Sequence, residues 1–206
     1  MKKFTDYLKE ETEFKDGSLT IFDIDDTLFH TTAKIAVIKN GKVDRELTNQ
    51  EYNNYEAKAG ETLDFSQFRD AEKFYQESKP IARMLDKAKA ILKNSEKNPD
   101  SKVIIVTARS NFDNKDKFLA TFRKHGFDID KVRVERAGRI EGEFIPAFKK
   151  VIIIRNYLNT KKFSKVRLFD DSMSNLKEFL KLNREFPTVK FEAFFANPDG
   201  SIKTIK

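Results

Sequence analysis

The chain has no cysteine, no tryptophan and only two histidines, His30 and His125, among 206 residues. Without thiols there is neither a disulfide frame nor a thiolate metal site, and the composition fits a reducing compartment. Two imidazoles are too few for a multi-histidine zinc centre. His125 stands before Gly126, where a helix C-terminus favours a cation in any case. No stretch approaches the ~18 apolar residues of a membrane span. The opening Met1-Lys2-Lys3-Phe4 runs at once into Asp6, Glu10 and Glu11, unlike a signal peptide. No repeat or low-complexity segment stands out. The expectation is a soluble, cytoplasmic protein with no membrane partner.

What is present is apolar and charged in nearly equal measure: 39% hydrophobic, 35% charged, with 20 phenylalanines. That is enough for one α/β domain over residues 1–206, carrying an insertion, and most of the phenylalanines belong to its core. The formal charge is +7 and the pI about 9.3, which suits attraction to polyanions. Lysine and arginine are nevertheless interspersed with aspartate and glutamate, as on a solvated surface.

Apolar runs alternate with helical patterns along the chain. Residues 3–14 read as an amphipathic helix and 18–23 as a strand. Two short β-patterned runs, 33–38 and 42–47, flank Asn40-Gly41, a strong hairpin turn. Residues 49–78 carry polar helical segments. Ser78 and Pro80 then open a helix striped with Ile81, Met84, Leu85, Ala88, Ile91 and Leu92, and Asn98-Pro99-Asp100 ends it. Strands follow at 102–107, 132–134, 165–169 and, last, 189–195. Helices follow at 114–125, 146–160 and 173–183. Strand–helix alternation of this kind predicts parallel crossovers on a doubly wound sheet. The hairpin is placed to lean over a site as a flap, and 31–95 forms a flap and small helical cap insertion.

The most informative segment is Leu19 to Phe29, Leu-Thr-Ile-Phe-Asp-Ile-Asp-Asp-Thr-Leu-Phe. A buried strand should end where its three carboxylates begin. In an open parallel sheet that is where ligands bind, and clustered acids there need a positive partner, for which a hard divalent cation is suited. Asp23 and Asp25 diverge once the chain turns, so one can attack phosphorus while the other handles the proton of the leaving oxygen. An EF-hand loop counted from Asp23 would need Gly and Glu where Leu28 and Lys34 stand, which excludes it.

Asp23, Asp25 and Thr27 resemble the Asp-x-Asp-x-Thr signature of the haloacid dehalogenase superfamily of phosphohydrolases. Further segments fit that resemblance. Val106-Thr107-Ala108-Arg109-Ser110 resembles its second motif, which implies phosphate binding by Thr107 and the following backbone N–H groups, that of Ala108 included. The Thr-x-Arg form is similar to the phosphatase half of polynucleotide kinase-phosphatases, which implies a substrate contact for Arg109. Leu168-Phe169-Asp170-Asp171-Ser172, with Asn175 beyond, resembles the fourth motif: Asp171 binds metal, while Asp170 and Asn175 support it. The same residues also suit a helix N-cap. The third motif is a lysine near a helix start. Lys149 fits its pattern better, with Lys150 one step away.

The resemblance implies a Rossmann-like doubly wound core, a Mg²⁺ cofactor and two-step phosphotransfer. Asp23 is the nucleophile and Asp25 the acid and base. Mg²⁺ lies between Asp23, the Asp25 carbonyl and Asp171, and Thr27 with Asp26 orients the loop. The expected activity is phosphomonoester hydrolysis. Alternatives are a polynucleotide 3′-phosphatase or nucleotidase, or a silent phosphate- or metal-binding module. Arg133, Arg136 and Arg139 are positioned to track a nucleic-acid backbone, but Glu135, Glu141 and Glu143 interleave with them.

Overall fold

The computed structural model describes residues 14–142 and 145–206, so the expected 3–14 helix falls outside the described residues but for Phe14. The chain first forms β1 (Gly17–Phe22), β2 (Phe29–His30), β3 (Ile35–Lys39), β4 (Lys42–Leu47), α1 (Asn49–Tyr52) and β5 (Glu61–Asp64). A 3-10 turn over Ser66–Arg69 leads to α2 (Ala71–Glu77), β6 (Lys79–Pro80) and α3 (Ala82–Ser95). The second half runs β7 (Lys102–Thr107), α4 (Lys115–Lys124), β8 (Arg133–Arg136) and α5 (Pro146–Leu158). It closes with β9 (Phe163–Asp170), α6 (Met173–Lys181), β10 (Lys190–Ala196) and β11 (Ile202–Ile205).

The central sheet has the order β11-β10-β9-β1-β7-β8, and only β11 runs antiparallel to its neighbour. Side chains alternate across β1, so Leu19 and Ile21 enter one core layer and Phe22 the other. On the Phe22 side Met84 and Leu85 of α3 and Phe118 and Phe122 of α4 cover the sheet; on the other, Ile154 of α5 and Phe179 of α6 do so. Strands covered on both faces read as unbroken apolar runs, as Val103–Val106 does. Much of the phenylalanine content goes into ring contacts within this core, for example Phe22 stacked on Phe169 at 4.8 Å and Phe29 edge-on to Phe122 at 5.1 Å.

From β1 the chain winds outward through β7 and β8, then returns to β9 and β10 on the opposite side. The direction of winding therefore reverses beside β1. Carboxyl strand ends at such a reversal leave a crevice between diverging loops.

Between β1 and β7 lies a separate three-stranded antiparallel sheet, β4-β3-β5. Asn40 and Gly41 turn it with φ of 51° and 72°, as a tight type I′ hairpin requires. Ala33, Ile35, Val37, Leu47 and Phe68 give it a small core of its own. Three local expectations change. The polar stretch 49–78 is not all helical, because Glu61–Asp64 pairs with β3 and packs the half-buried Leu63 against that small core. Pro80 does not open α3: Lys79, extended as pre-proline residues are, pairs with His30, and the helix begins after Ile81. β10 is not the last strand, since β11 folds back on it.

Candidate active site

The loop after β1 is built by one carbonyl. Ile24 O accepts the N–H groups of Thr27, Leu28 and Phe29 at 3.3, 2.9 and 3.0 Å, and Asp26 N–H donates to Phe29 O at 2.7 Å. This tight turn puts Asp26 at φ 55°, a left-handed conformation that aspartate tolerates better than most residues. Asp23 still belongs to the sheet, its N–H donating to Phe169 O at 3.0 Å. The turn sends the Asp23 and Asp25 carboxylates to different partners.

Asp23 meets a lysine, and it is Lys150. Lys150 Nζ donates to Asp23 Oδ1 at 2.6 Å and to Asp170 Oδ2 at 2.8 Å. The buried face of α5 carries Ala147, Lys150, Val151, Ile154 and Leu158, a spacing of three and four. Lys149 is about 100° round the helix from Lys150; it lines the cavity described below but makes neither contact. Lys150, and not the Lys149 that the pattern favoured, is therefore the lysine that meets the two acids, and helical periodicity is the signal that could distinguish them.

Asp170, at the end of β9, has both oxygens engaged: Ser172 N–H and the Asn175 amide reach Oδ1 at 2.9 and 2.8 Å, and Asn175 and Lys150 reach Oδ2. Asp171 faces the cavity instead. Asp23, Asp170 and Asp171 each bring an oxygen within 4.8 Å of the others. Burial, with Asp170 and Asp25 nearby, pushes the Asp23 carboxyl up to about 7 against the pull of Lys150. Burial and the charges of Asp170 and Asp23 hold Asp171 well above the usual carboxylate range. Burial alone would lower the Lys150 ammonium, but the charges of Asp170 and Asp23 outweigh it and raise it. One buried ammonium does not balance three carboxylates. The three carboxylates offer an all-oxygen donor set that could hold a metal ion, and oxygen ligands are those that hard divalent cations prefer.

Asp25 meets Arg109 from the end of β7. Nε and Nη2 grip its two oxygens at 3.0 and 2.7 Å, Nη1 donates to Phe68 O at 2.9 Å, and Thr31 Oγ1 lies 3.3 Å from Nη2. The guanidinium also lies over the Phe74 and Phe68 rings, at 4.4 and 5.3 Å. The buried Arg109 therefore ties the β1 loop to the insertion, with its donors turned to protein acceptors. Ala108 lines the cavity beside it. Thr107 and Thr27 are fully buried; the Thr107 hydroxyl accepts the Arg109 N–H at 3.2 Å, and Thr27 Oγ1 has no hydrogen-bond partner.

The insertion supplies two residues that the motifs did not indicate. Thr48 and Glu51 form a capping box at the start of α1. That short helix presents Asn53, whose amide donates to Asp171 Oδ2 at 3.1 Å, and Asn49, which reaches Asp26 Oδ2 at 3.3 Å. Between insertion and sheet lies a cavity of about 700 Å³, lined among others by Asp23, Asp25, Asp171, Lys150 and Arg109. The basic residues expected to track a backbone are partly used within the protein: Arg133 pairs with Glu135 at 2.5 Å, and Arg136 donates to Asn111 at 3.2 Å.

No family model matches the chain, and no curated protein is significantly similar to it. Among the described residues no helix is long and apolar enough to cross a membrane.

Proposed function

We propose that the chain is a magnesium-dependent phosphomonoesterase of the haloacid dehalogenase kind, with the three-stranded insertion acting as its cap. The observation that carries this reading is the Lys150 bridge between Asp23 and Asp170 at adjoining strand ends, with Asp171 beside it. Acids placed only for structure need neither the cavity nor the excess negative charge beside them; a site that takes a divalent cation in order to receive a dianionic phosphate uses both.

Asp23 attacks phosphorus, and the bond from phosphorus to the ester oxygen breaks with its electron pair going to that oxygen. Asp25 enters this step as the carboxylic acid and gives its proton to that oxygen. Water then attacks the aspartyl-phosphate, Asp25 takes a proton from it, and the Asp23 carboxylate leaves with the release of orthophosphate. Lys150 offsets charge on the nucleophile and the transferring oxygens. Arg109 fixes the Asp25 carboxyl, and the Ala108 backbone lies where phosphate oxygens would be met. Mg²⁺ held by Asp23, Asp171 and the Asp25 carbonyl would supply orientation and charge neutralisation for the phosphate.

The test is hydrolysis of a chromogenic phosphate ester with and without Mg²⁺. Wild type turns over only with the metal, and Asp23→Asn loses on the order of 10³-fold or more in kcat. Metal-independent turnover, or an active Asp23→Asn protein, contradicts the reading.

A further inference from the structure

The cavity above Asp23 has two chemically distinct parts. Its floor is charged, with Asp23, Asp171 and Lys150; its mouth is apolar, with Tyr52 and Phe65 from the insertion and Ile145 at the N-cap of α5. Phe65 is 41% exposed and Ile145 51%, so neither contributes much to a core. Few large apolar side chains among the described residues are so exposed, and these two line the same cleft. Tyr52 and Phe65 brace each other edge to face, centroids 5.3 Å apart at 81°. Braced rings offer a rigid π surface that loses little freedom on binding. Orthophosphate or an aliphatic phosphate has no use for such a wall, and about 700 Å³ is far more room than either fills. Glu56 and Asn53 line the same space and add an acceptor and a donor for the polar edges of a ring.

We propose that the cavity takes a phosphate ester whose alcohol bears a flat, polar-edged aromatic base, that is, a terminal nucleotide. The base packs on Tyr52 and Phe65 against Ile145 while its phosphate lies over Asp23 and Lys150. This rests on the phosphomonoesterase reading, which supplies the bond broken: phosphorus to sugar oxygen, with the proton ending on the nucleoside. A free mononucleotide and a nucleotide at a strand end share this chemistry.

The experiment compares kcat/KM for a nucleoside monophosphate, ribose phosphate, glycerol phosphate and an oligonucleotide with a terminal phosphate. Wild type should favour base-bearing esters by roughly tenfold or more, the size expected of base–aromatic stacking. Phe65→Ala should collapse that ratio and Tyr52→Phe should keep it, with melting curves confirming both folds. Equal rates on all esters, or a ratio untouched by Phe65→Ala, overturn the proposal. Salt separates the two sources, since turnover of a strand end falls steeply with ionic strength and that of a mononucleotide much less. Equilibrium binding to Asp23→Asn protein reads the base without turnover. If no ester is hydrolysed, the phosphatase reading falls, while tighter binding of nucleoside monophosphate than of ribose phosphate still upholds the base site. Equal binding of the two removes it.

Discussion

Lys150 holds together two carboxylates that would otherwise repel each other. Lys150→Met keeps the length and burial of the side chain but leaves Asp23 and Asp170 without their shared ammonium. Removing one partner of a buried ionic cluster typically costs ~3–5 kcal/mol, so this variant should melt well below wild type and lose about 10²-fold or more in kcat. Lys149→Met should cost far less in both measurements, because Lys149 touches neither acid. Arg109 permits a similar comparison. Arg109→Lys keeps the charge but cannot grip both Asp25 oxygens while donating to Phe68 O. Its kcat should fall more than its KM rises; a change in KM alone would show that Arg109 holds substrate instead of Asp25.

The short elements around the site are set by local chemistry that can be altered one residue at a time. Thr48→Ala removes the cap of α1, a loss of ~1 kcal/mol, and loosens the helix that carries Asn53 to Asp171. Hydrogen exchange at the Tyr52 and Asn53 amides should accelerate while the amides of β1 and β9 stay protected. Gly138 packs so closely on the loop after β7 that an added Cβ would lie 2.3 Å from Ala108 O. Gly138→Ala must therefore shift the backbone beside Arg109, and should lower both melting temperature and kcat. What the sequence disclosed follows the same logic of scale. β7 was legible because its buried residues form the unbroken apolar run Val103–Val106, β1 and β9 because short apolar stretches there end in acids, and the hairpin because Asn-Gly favours a tight turn. β5 and β11 were not, since four residues with one or two apolar positions carry too little periodicity; only pairing with a neighbour makes them strands. The acids at the ends of β1 and β9 could be read from local pattern. The Asp25–Arg109 grip joins residues 84 positions apart, and the Asn53–Asp171 contact residues 118 apart; no local pattern encodes either. Thr48-x-x-Glu51 is a local capping-box pattern, but the station of α1 above Asp171 is a consequence of the whole fold.

At the scale of the molecule, the site ties stability to pH and to metal. Burial pushes the Asp23 carboxyl from its ordinary value of 3.8 up to about 7 in the folded chain, and Asp171 shifts in the same direction. A carboxyl raised in this way stabilises the metal-free fold fully below the unfolded value, and that contribution is lost as pH rises through about 7. A divalent cation replaces the proton, so Mg²⁺ should raise the melting temperature more at about pH 8 than at about pH 6. A pH-independent effect would mean that the ion binds elsewhere. The central claim, that Asp23 carries the phosphoryl group, is tested most directly by trapping it. Protein turning over a phosphate ester with Mg²⁺ is reduced with borohydride, which converts an aspartyl-phosphate to homoserine, and its peptides are sequenced by mass spectrometry. The account predicts homoserine at position 23, absent without substrate. Homoserine at another aspartate, or continued turnover with none trapped anywhere, would contradict it.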